Sequence, residues 1–297
     1  MLFTNIRTTS KRILRESIFL KKYYCSTIND ISLAKVNRPA RRLINLTSKT
    51  LCPAAGLHVD SSLRKKLNNG GMNRLTASFF NLPCIELAKQ LLGKTLVRVL
   101  QDGTVLKGII VETESYLGEL DEASYLLKNK NINQNQGLYM TPGTLHIYLN
   151  YGIYHMLSIS SKGEGAAVLI RAIQPIEGID VIQKNRDLFN SKYSKEKSNK
   201  ASTLRDFELC SGPTSLTIGI GVDMSCNNHN LATSPLMWVN EEPSRKDEVY
   251  PIVSCKRIGI ESVGTEWATK PLRFYIYGNK SVSKIDKVGE LALLEMI

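Results

Sequence analysis

The sequence predicts a single α+β domain, because short apolar runs of strand length alternate with segments of helical spacing. Apolar residues at helical spacing over residues 85–92, followed by a glycine, predict a short capped helix. Two apolar runs, residues 95–100 and 105–111, flank Asp102-Gly103, and an Asp-Gly between such runs is a strong signal for a β-hairpin. The sequence contains no internal repeat, which favours one domain.

The remainder of the domain continues in the same mixed pattern. The polar, Asn-rich stretch 126–136 predicts a loop, and the lysines of residues 190–202 predict a mobile basic loop. A helix is expected to begin within residues 175–182. Further strands are predicted over residues 144–151, 154–159, 166–172 and 272–277.

The composition is that of a soluble globular protein. The chain has 297 residues, ample for a sizeable core, with a hydrophobic fraction of 42%. No apolar run approaches the roughly 20 residues that a membrane span requires, so we expect no membrane association. The six cysteines are widely spaced without a C-x-x-C pair, and the four histidines are scattered. We therefore expect neither a metal nor another cofactor, and a reducing compartment fits.

The net charge of +12 is concentrated at the N-terminus. Residues 1–73 hold 14 Lys/Arg and 3 Asp/Glu, so the remainder is nearly neutral, with 25 basic and 24 acidic residues. Bulk charge therefore does not establish nucleic-acid binding by the folded part. Any phosphate-binding surface there must be a local patch.

Residues 1–71 are predicted to be a basic, disordered extension, and residues 72–297 the folded domain. The first 15 residues are rich in arginine and hydroxyl groups and contain no acidic residue, which is typical of a mitochondrial targeting helix. The alternative is a basic tail that grips DNA or serves nuclear import, as the arginines of residues 38–42 would. The two interpretations predict a location in the mitochondrion, the nucleus or both.

Two carboxylates follow the apolar run of the predicted second strand. Alternate side chains of an extended strand share a face, which places Glu112, Glu114 and Tyr116 on one side, with Ile110 expected on the same side. For Glu112 alone, the position near a strand end favours a solvated carboxylate. Glu114, beside the ring of Tyr116, fits a pocket. A Glu desolvated by aromatic walls can act as a general base, an effect of about 10²–10⁴-fold in rate.

A tyrosine-rich hairpin is predicted around Tyr151-Gly152. Gly152 permits the positive φ of a tight turn, which leaves Tyr151 at a protruding tip. An aromatic ring on a rigid tip can enter a duplex and fill the gap left by an extruded base. Tyrosines in strands are usually core residues, so Tyr148 and Tyr154 fit packing and function equally well.

The set formed by Glu114, these tyrosines and Arg171 resembles the alkyladenine (3-methyladenine) DNA glycosylase family. The resemblance runs from about residue 73 to residue 288 and implies a curved, mainly antiparallel sheet with surrounding helices, like a formyltransferase C-terminal domain. By this resemblance, Glu114 activates the water, and Arg171 fixes that water and the adjacent phosphate. The resemblance also includes shorter motifs at residues 140–145, 210–213 and 270–275.

The resemblance further assigns the base pocket and the DNA contact. Tyr116 and Tyr148 are implied to form the two walls between which a flipped base stacks. Tyr151 is implied to be the intercalating residue at the hairpin tip, with Ile153 and Tyr154 as neighbouring DNA-binding residues.

Two pocket positions depart from the family pattern. Tyr125 stands where well-known members have a histidine that bonds the flipped base. Ser158 replaces an asparagine whose bulk obstructs the amino group of normal guanine. The first change predicts a weaker preference for hypoxanthine over cationic methylpurines, and the second predicts better access for methylguanines.

The resemblance implies a monofunctional DNA glycosylase of base excision repair. Such an enzyme binds damaged duplex DNA as a monomer, flips out an alkylated or deaminated purine (3-methyladenine, 7-methylguanine, 3-methylguanine or hypoxanthine) and hydrolyses its N-glycosidic bond. No lysine in the matching motifs is placed to form a Schiff base, so strand cleavage is not expected. Two alternatives stay open: a DNA-binding protein that lacks catalysis, and a formyltransferase-like small-molecule enzyme, which rests on analogy of fold alone.

Overall fold

One antiparallel sheet with a long central strand organises the chain. The computed structural model describes residues 73–124, 132–193, 204–245 and 248–296. Within these ranges, eight antiparallel strands form a sheet that curls into half a barrel, which confirms the predicted α+β class. The strands are β1 (Thr95–Val99), β2 (Val105–Leu117), β3 (Leu145–Asn150), β4 (Tyr154–Ser160), β5 (Ala166–Glu177), β6 (Met237–Asn240), β7 (Ile252–Cys255) and β8 (Arg273–Ile276).

Strand β2 lies at the centre of the sheet and has partners on both edges. The strand order is β3-β4-β5-β2-β1-β6, and β8 pairs with both β2 and β7. One edge of β2 pairs with β5 along most of its length. The other edge pairs first with β1 and then, at residues 112–114, with β8. The second half of β2 is therefore enclosed on both sides, which is where its carboxylates lie.

Seven α-helices surround the sheet within the described ranges. None of them is long and apolar enough to cross a membrane. They are α1 (Ala77–Phe80), α2 (Cys84–Gln90), α3 (Ile132–Tyr139), α4 (Ile179–Tyr193), α5 (Pro213–Gly219), α6 (Thr265–Thr269) and α7 (Lys287–Leu294).

Helix α2 forms because its apolar face covers β2. Leu87 and Ala88 are fully buried on this face, which at about 25 cal/mol per Å² of apolar surface stabilises the contact more than helix propensity does. The helix is also bonded to the strand, since the Thr113 hydroxyl donates to the Ala88 carbonyl at 2.9 Å and the Ser115 hydroxyl donates to the Cys84 carbonyl at 3.3 Å. The helix predicted over residues 85–92 is thereby confirmed.

The first predicted hairpin is also confirmed. Strands β1 and β2 pair through the register Thr95↔Ile109 to Val99↔Val105. Gly103 has a φ of 83° in the connecting turn, a conformation that favours glycine. The carboxylate of Asp102 accepts from the Thr104 N–H at 2.9 Å, so both residues of the Asp-Gly signal serve the turn.

Two predictions about connecting segments were wrong in part. Within the stretch predicted as a loop, residues 132–136 belong to helix α3, while residues 126–131 lie outside the described ranges. The helix has no apolar stripe in its sequence, and tertiary packing stabilises it, because Leu138 packs on Ala167 of β5.

The helix expected to begin within residues 175–182 does so, at Ile179. Residues 173–177 extend β5 beyond its predicted end at residue 172, because they pair with residues 107–110 of β2. Gly178, with a φ of 77°, separates this strand from α4. Helix α4 then continues to Tyr193, into the stretch predicted as a basic loop, and residues 194–203 lie outside the described ranges.

Glu112 is a buried carboxylate that binds two arginines, rather than the solvated strand-end carboxylate that its position suggested. Its side chain is fully inaccessible. One carboxylate oxygen accepts from Arg273 Nη1 at 2.8 Å and from Arg171 Nε at 3.2 Å. The other accepts from the Ser283 N–H at 2.8 Å. The prediction was wrong because β5 and β8 enclose this part of β2 and supply two guanidinium groups.

A β-bulge in β2 explains why simple alternation fails here. The pairing with β5 shifts register between Ile110 and Glu112, and again between Glu112 and Thr113. Ile110 lies in the hydrophobic core, whereas Glu112 and Glu114 both contact Arg171. The expectation that Ile110 shares their face was therefore wrong, since a bulge breaks the two-residue period.

We expect Glu112→Gln to lower the free energy of unfolding by about 3–5 kcal/mol, because it leaves two buried guanidinium groups with one fewer compensating charge. Urea denaturation measures this loss. The matched control is Glu266→Gln, which removes an exposed ion pair with Lys270 and should cost less than about 0.5 kcal/mol. Equal, small losses in the two variants would contradict a structural role for the Glu112 charge.

Candidate active site

A cavity of about 560 Å³ opens where the end of β2 meets the β3–β4 hairpin and the segment Ile258–Ile260. The volume is in the range of pockets that hold a small ring-shaped ligand. Five of the residues that the sequence singled out line this cavity, namely Tyr116, Tyr148, Tyr151, Ser158 and Arg171.

Glu114 lies directly behind the wall of this cavity. Its side chain is inaccessible, but three groups that contact it belong to residues that line the cavity. Oε1 lies 3.1 Å from Arg171 Nη1 and accepts from the Ile258 N–H at 2.9 Å. Oε2 accepts from the Tyr116 hydroxyl at 3.0 Å. A carboxylate offers about four acceptor positions, so these contacts leave capacity for one more donor, such as a water molecule.

Arg171 joins the two carboxylates of β2. Besides Glu114 and Glu112, its guanidinium donates through Nη2 to the Ser283 hydroxyl at 3.3 Å. Burial opposes its charge, but the nearby carboxylates of Glu114 and Glu112 outweigh burial and raise the pKa of Arg171. Arg171 is therefore a permanent cation at the cavity wall.

Tyr116 forms one side of the cavity and is held in its neutral form. Burial, with a smaller contribution from the Glu114 carboxylate, raises the pKa of Tyr116 well above its ordinary value. The neutral hydroxyl remains a donor to Glu114. Behind the ring, the guanidinium carbon of Arg257 lies 4.6 Å from the ring centroid.

Strands β3 and β4 supply another side of the cavity. The ring of Tyr148 stacks on the ring of His146, with centroids 5.3 Å apart and planes 27° apart. Ser158 is buried on β4 opposite His146. The two strands thus present two aromatic rings, His146 and Tyr148, and the small hydroxyl of Ser158 to the same space.

The hairpin tip is Tyr151, as the sequence predicted. Its side chain is 86% exposed, and its φ of 52° places it in the left-handed region, followed by Gly152 at 68°. Ile153 is also exposed at the tip. Tyr154, in contrast, is partly buried and packs on Phe189 of α4, with ring centroids 5.7 Å apart. Tyr154 therefore packs the base of the hairpin against helix α4.

Several residues of the site lay outside the sequence-based prediction. Arg257 and Asp121 form a fully buried ion pair beside Tyr116, and the Ile258 N–H binds Glu114. Arg273 lies within the motif at residues 270–275 but was assigned no role from the sequence. Its position between apolar neighbours could have indicated a buried partner, since buried charges are almost always paired. The other contacts join residues more than 100 positions apart and leave no local pattern in the sequence.

Tyr125, predicted for the base pocket, lies outside the described residues. Within the part of the chain that the structure describes, no group of three or more His, Cys, Asp or Glu side chains is arranged to hold a metal ion.

Comparison of the amino-acid sequence with those of known proteins identifies its family. The chain is 43% identical over 217 residues to a DNA-3-methyladenine glycosylase of Mus musculus, and the aligned residues cover 73% of this chain and 63% of the relative. It is 40% identical over 221 residues to the corresponding protein of Homo sapiens, with 74% and 72% covered. A putative 3-methyladenine DNA glycosylase of Clostridium perfringens (strain SM101 / Type A) is 39% identical over 213 residues, which cover 71% of this chain and 99% of that protein.

The chain thus spans less than two thirds of the length of the mouse relative. The family model for methylpurine-DNA glycosylase (MPG) matches residues 78–280, a range that includes Glu114, Arg171 and the hairpin. The resemblance drawn from the sequence is confirmed, and the chain belongs to the methylpurine-DNA glycosylase family.

Proposed function

We propose that this protein is a monofunctional DNA glycosylase that excises alkylated purines from duplex DNA. The observation that carries the proposal is the buried Glu114 carboxylate, held by Arg171, Tyr116 and a backbone N–H behind a cavity with an aromatic wall. The names of the relatives, which are DNA-3-methyladenine glycosylases, support the same reaction.

The proposed reaction begins with extrusion of the damaged nucleotide, because C1′ is hidden within the duplex. Extrusion costs a few kcal/mol, and less for a damaged pair. The exposed ring of Tyr151 offsets part of this cost by filling the gap. In the cavity, stacking on Tyr116 and Tyr148 contributes about 1–3 kcal/mol per base. A cationic base gains further attraction from the electron-rich faces of these rings.

Hydrolysis then uses the groups behind the cavity wall. The positive charge of an alkylated purine makes it a good leaving group. A water molecule bound to the remaining acceptor position of Glu114, next to the Arg171 guanidinium, attacks C1′ and leaves the free base and an abasic site. Glu114 accepts the proton of that water. Both groups are held in place before substrate arrives. Because Glu114 has no accessible surface in the free protein, a neighbouring side chain must be displaced to admit the water.

The alternatives from the sequence receive less support. A DNA-binding protein without catalysis would have no need for a buried carboxylate paired with an arginine beneath the cavity, since such a pair is costly to desolvate. A formyltransferase-like activity had only the general architecture in its favour, and membership of the methylpurine-DNA glycosylase family speaks against it.

Glu114→Gln is expected to slow base release by at least about 10²-fold while the variant still binds the lesion, because the amide cannot act as a base. Single-turnover release from a duplex with one 7-methylguanine measures the effect. Glu119→Gln, which changes an exposed carboxylate just beyond β2, is the matched control and should keep its rate. Near-normal release by Glu114→Gln would remove Glu114 from its proposed role.

Tyr151→Ala is expected to weaken binding to a lesion-bearing duplex by roughly 10–100-fold, the equivalent of one lost stacking contact. Fluorescence anisotropy measures the affinity. Binding to the same lesion in a single strand should change much less, since no base stack has to be opened. Tyr277→Ala, which changes an exposed tyrosine that does not line the cavity, serves as the control. Equal losses of affinity for single-stranded and double-stranded DNA would contradict the proposed insertion of Tyr151 into the duplex.

Tyr125→His is expected to raise release of hypoxanthine relative to 7-methylguanine by about fivefold, the equivalent of roughly 1 kcal/mol for one hydrogen bond to a neutral base. The ratio of the two single-turnover rates is the measurement. Tyr125→Phe, which adds no such bond, is the comparison variant. An unchanged ratio in Tyr125→His would show that position 125 does not govern this preference.

Ser158→Asn is expected to lower release of 7-methylguanine and 3-methylguanine by roughly 10–100-fold, because the larger side chain obstructs the guanine amino group at a cost of about 1–3 kcal/mol. Release of hypoxanthine, which lacks that amino group, should be nearly unchanged. Ser158→Ala tests whether loss of the hydroxyl alone matters. Undiminished methylguanine release by the asparagine variant would refute the expectation.

A further inference from the structure

We infer that Arg257 and Asp121 form a positioning pair that fixes the ring of Tyr116 for stacking of the extruded base; this inference rests on the proposed function. Both side chains are fully inaccessible. The guanidinium binds the carboxylate with two bonds, Nη1 to Oδ2 at 2.6 Å and Nη2 to Oδ1 at 2.9 Å. Neither residue is in contact with the cavity's free space, so their effect must pass through neighbours.

The pair joins three segments of the cavity wall. Arg257 Nη1 also donates to the Ser115 carbonyl at 2.9 Å, which ties it to the end of β2 next to Tyr116. The carboxylate of Asp121 accepts from the Leu117 N–H and from the Ala123 N–H, each at 3.0 Å. The residue after Arg257 is Ile258, whose N–H binds Glu114. One ion pair therefore holds the backbone of three segments that contribute residues to the cavity lining.

The same guanidinium lies against the Tyr116 ring. Its carbon is 4.6 Å from the ring centroid, within the range of a cation–π contact. Arg257 is covered whereas Tyr116 lines the cavity, so the face of the ring that is turned away from Arg257 is the one available to a base. The contact, together with the hydroxyl bond to Glu114, restrains the ring at both its face and its tip.

The chemistry of the pair favours positioning over stability. Burying an ion pair costs about as much free energy as the attraction returns, and apolar replacements of such pairs are often neutral or stabilising. A planar guanidinium, however, binds a carboxylate with two parallel bonds and stacks on a ring at the same time, which a lysine ammonium cannot do. The geometry of Arg257 uses both properties.

The test compares DNA affinities of Arg257→Lys, which keeps the charge and loses the planar fork, with those of wild type. One probe is a duplex with 2′-fluoro-7-methylguanine, whose glycosidic bond resists hydrolysis. The other is the same duplex with a tetrahydrofuran abasic analogue. Binding of this probe uses the insertion of Tyr151 but places no base in the pocket. We expect the lysine variant to lose about tenfold or more in affinity for the first probe and less than about twofold for the second.

The control is Arg205→Lys. Arg205 has the same kind of contacts in solvent, with an ion pair to Glu208 at 2.8 Å and its guanidinium 4.4 Å from the ring centroid of Phe207. Both affinities of this variant should match wild type. Asp121→Asn, which disturbs the pair from its other member, should reproduce the selective loss, and thermal denaturation of each variant identifies any that fails to fold.

Parallel losses on both probes by a folded Arg257→Lys, or no loss on either, would overturn the inference. Wild type is assayed alongside for release of 7-methylguanine from an unfluorinated duplex. Absence of release there would count against the proposed function itself, whereas release with unaltered probe discrimination in Arg257→Lys would count against the positioning pair alone.

Discussion

The structure depends on a balance of buried charge around β2. Glu112 and Glu114 are both inaccessible, and Arg171 and Arg273 approach them from the strands on either side. Each of these ions would be unstable alone in the interior, because desolvation costs several kcal/mol per charge. The four together define how β5 and β8 must lie against β2. The position of the candidate catalytic carboxylate is therefore a consequence of how the sheet is assembled.

The part of the fold that could be predicted follows from local chemistry. Neighbouring residues specify three such features: the Asp-Gly turn, Gly93 after helix α2, and the exposed tyrosine beside Gly152. Glu114, Tyr116 and Arg171 were recognisable because the family motif preserves their order along the chain. The antiparallel, curled form of the sheet agrees with what that resemblance implies.

The features that escaped prediction are those set by long-range contacts. Glu112 looked like a solvated strand end, but pairing with β5 and with β8, which lies more than 150 residues later, encloses it. The bulge that separates Ile110 from Glu112 arises between two strands and has no signal in either alone. Helix α3 is likewise stabilised by packing on β5 rather than by its polar sequence. In each case tertiary structure overrode the local pattern.

The backbone conformation of Tyr151 has a consequence for the DNA contact that we propose for this residue. A left-handed conformation in a residue with a side chain costs roughly 1–2 kcal/mol, and folding has already offset that cost. The ring is thus already exposed at the hairpin tip in the free protein. Under the proposed function, insertion of Tyr151 into DNA would then require no prior ordering of the hairpin.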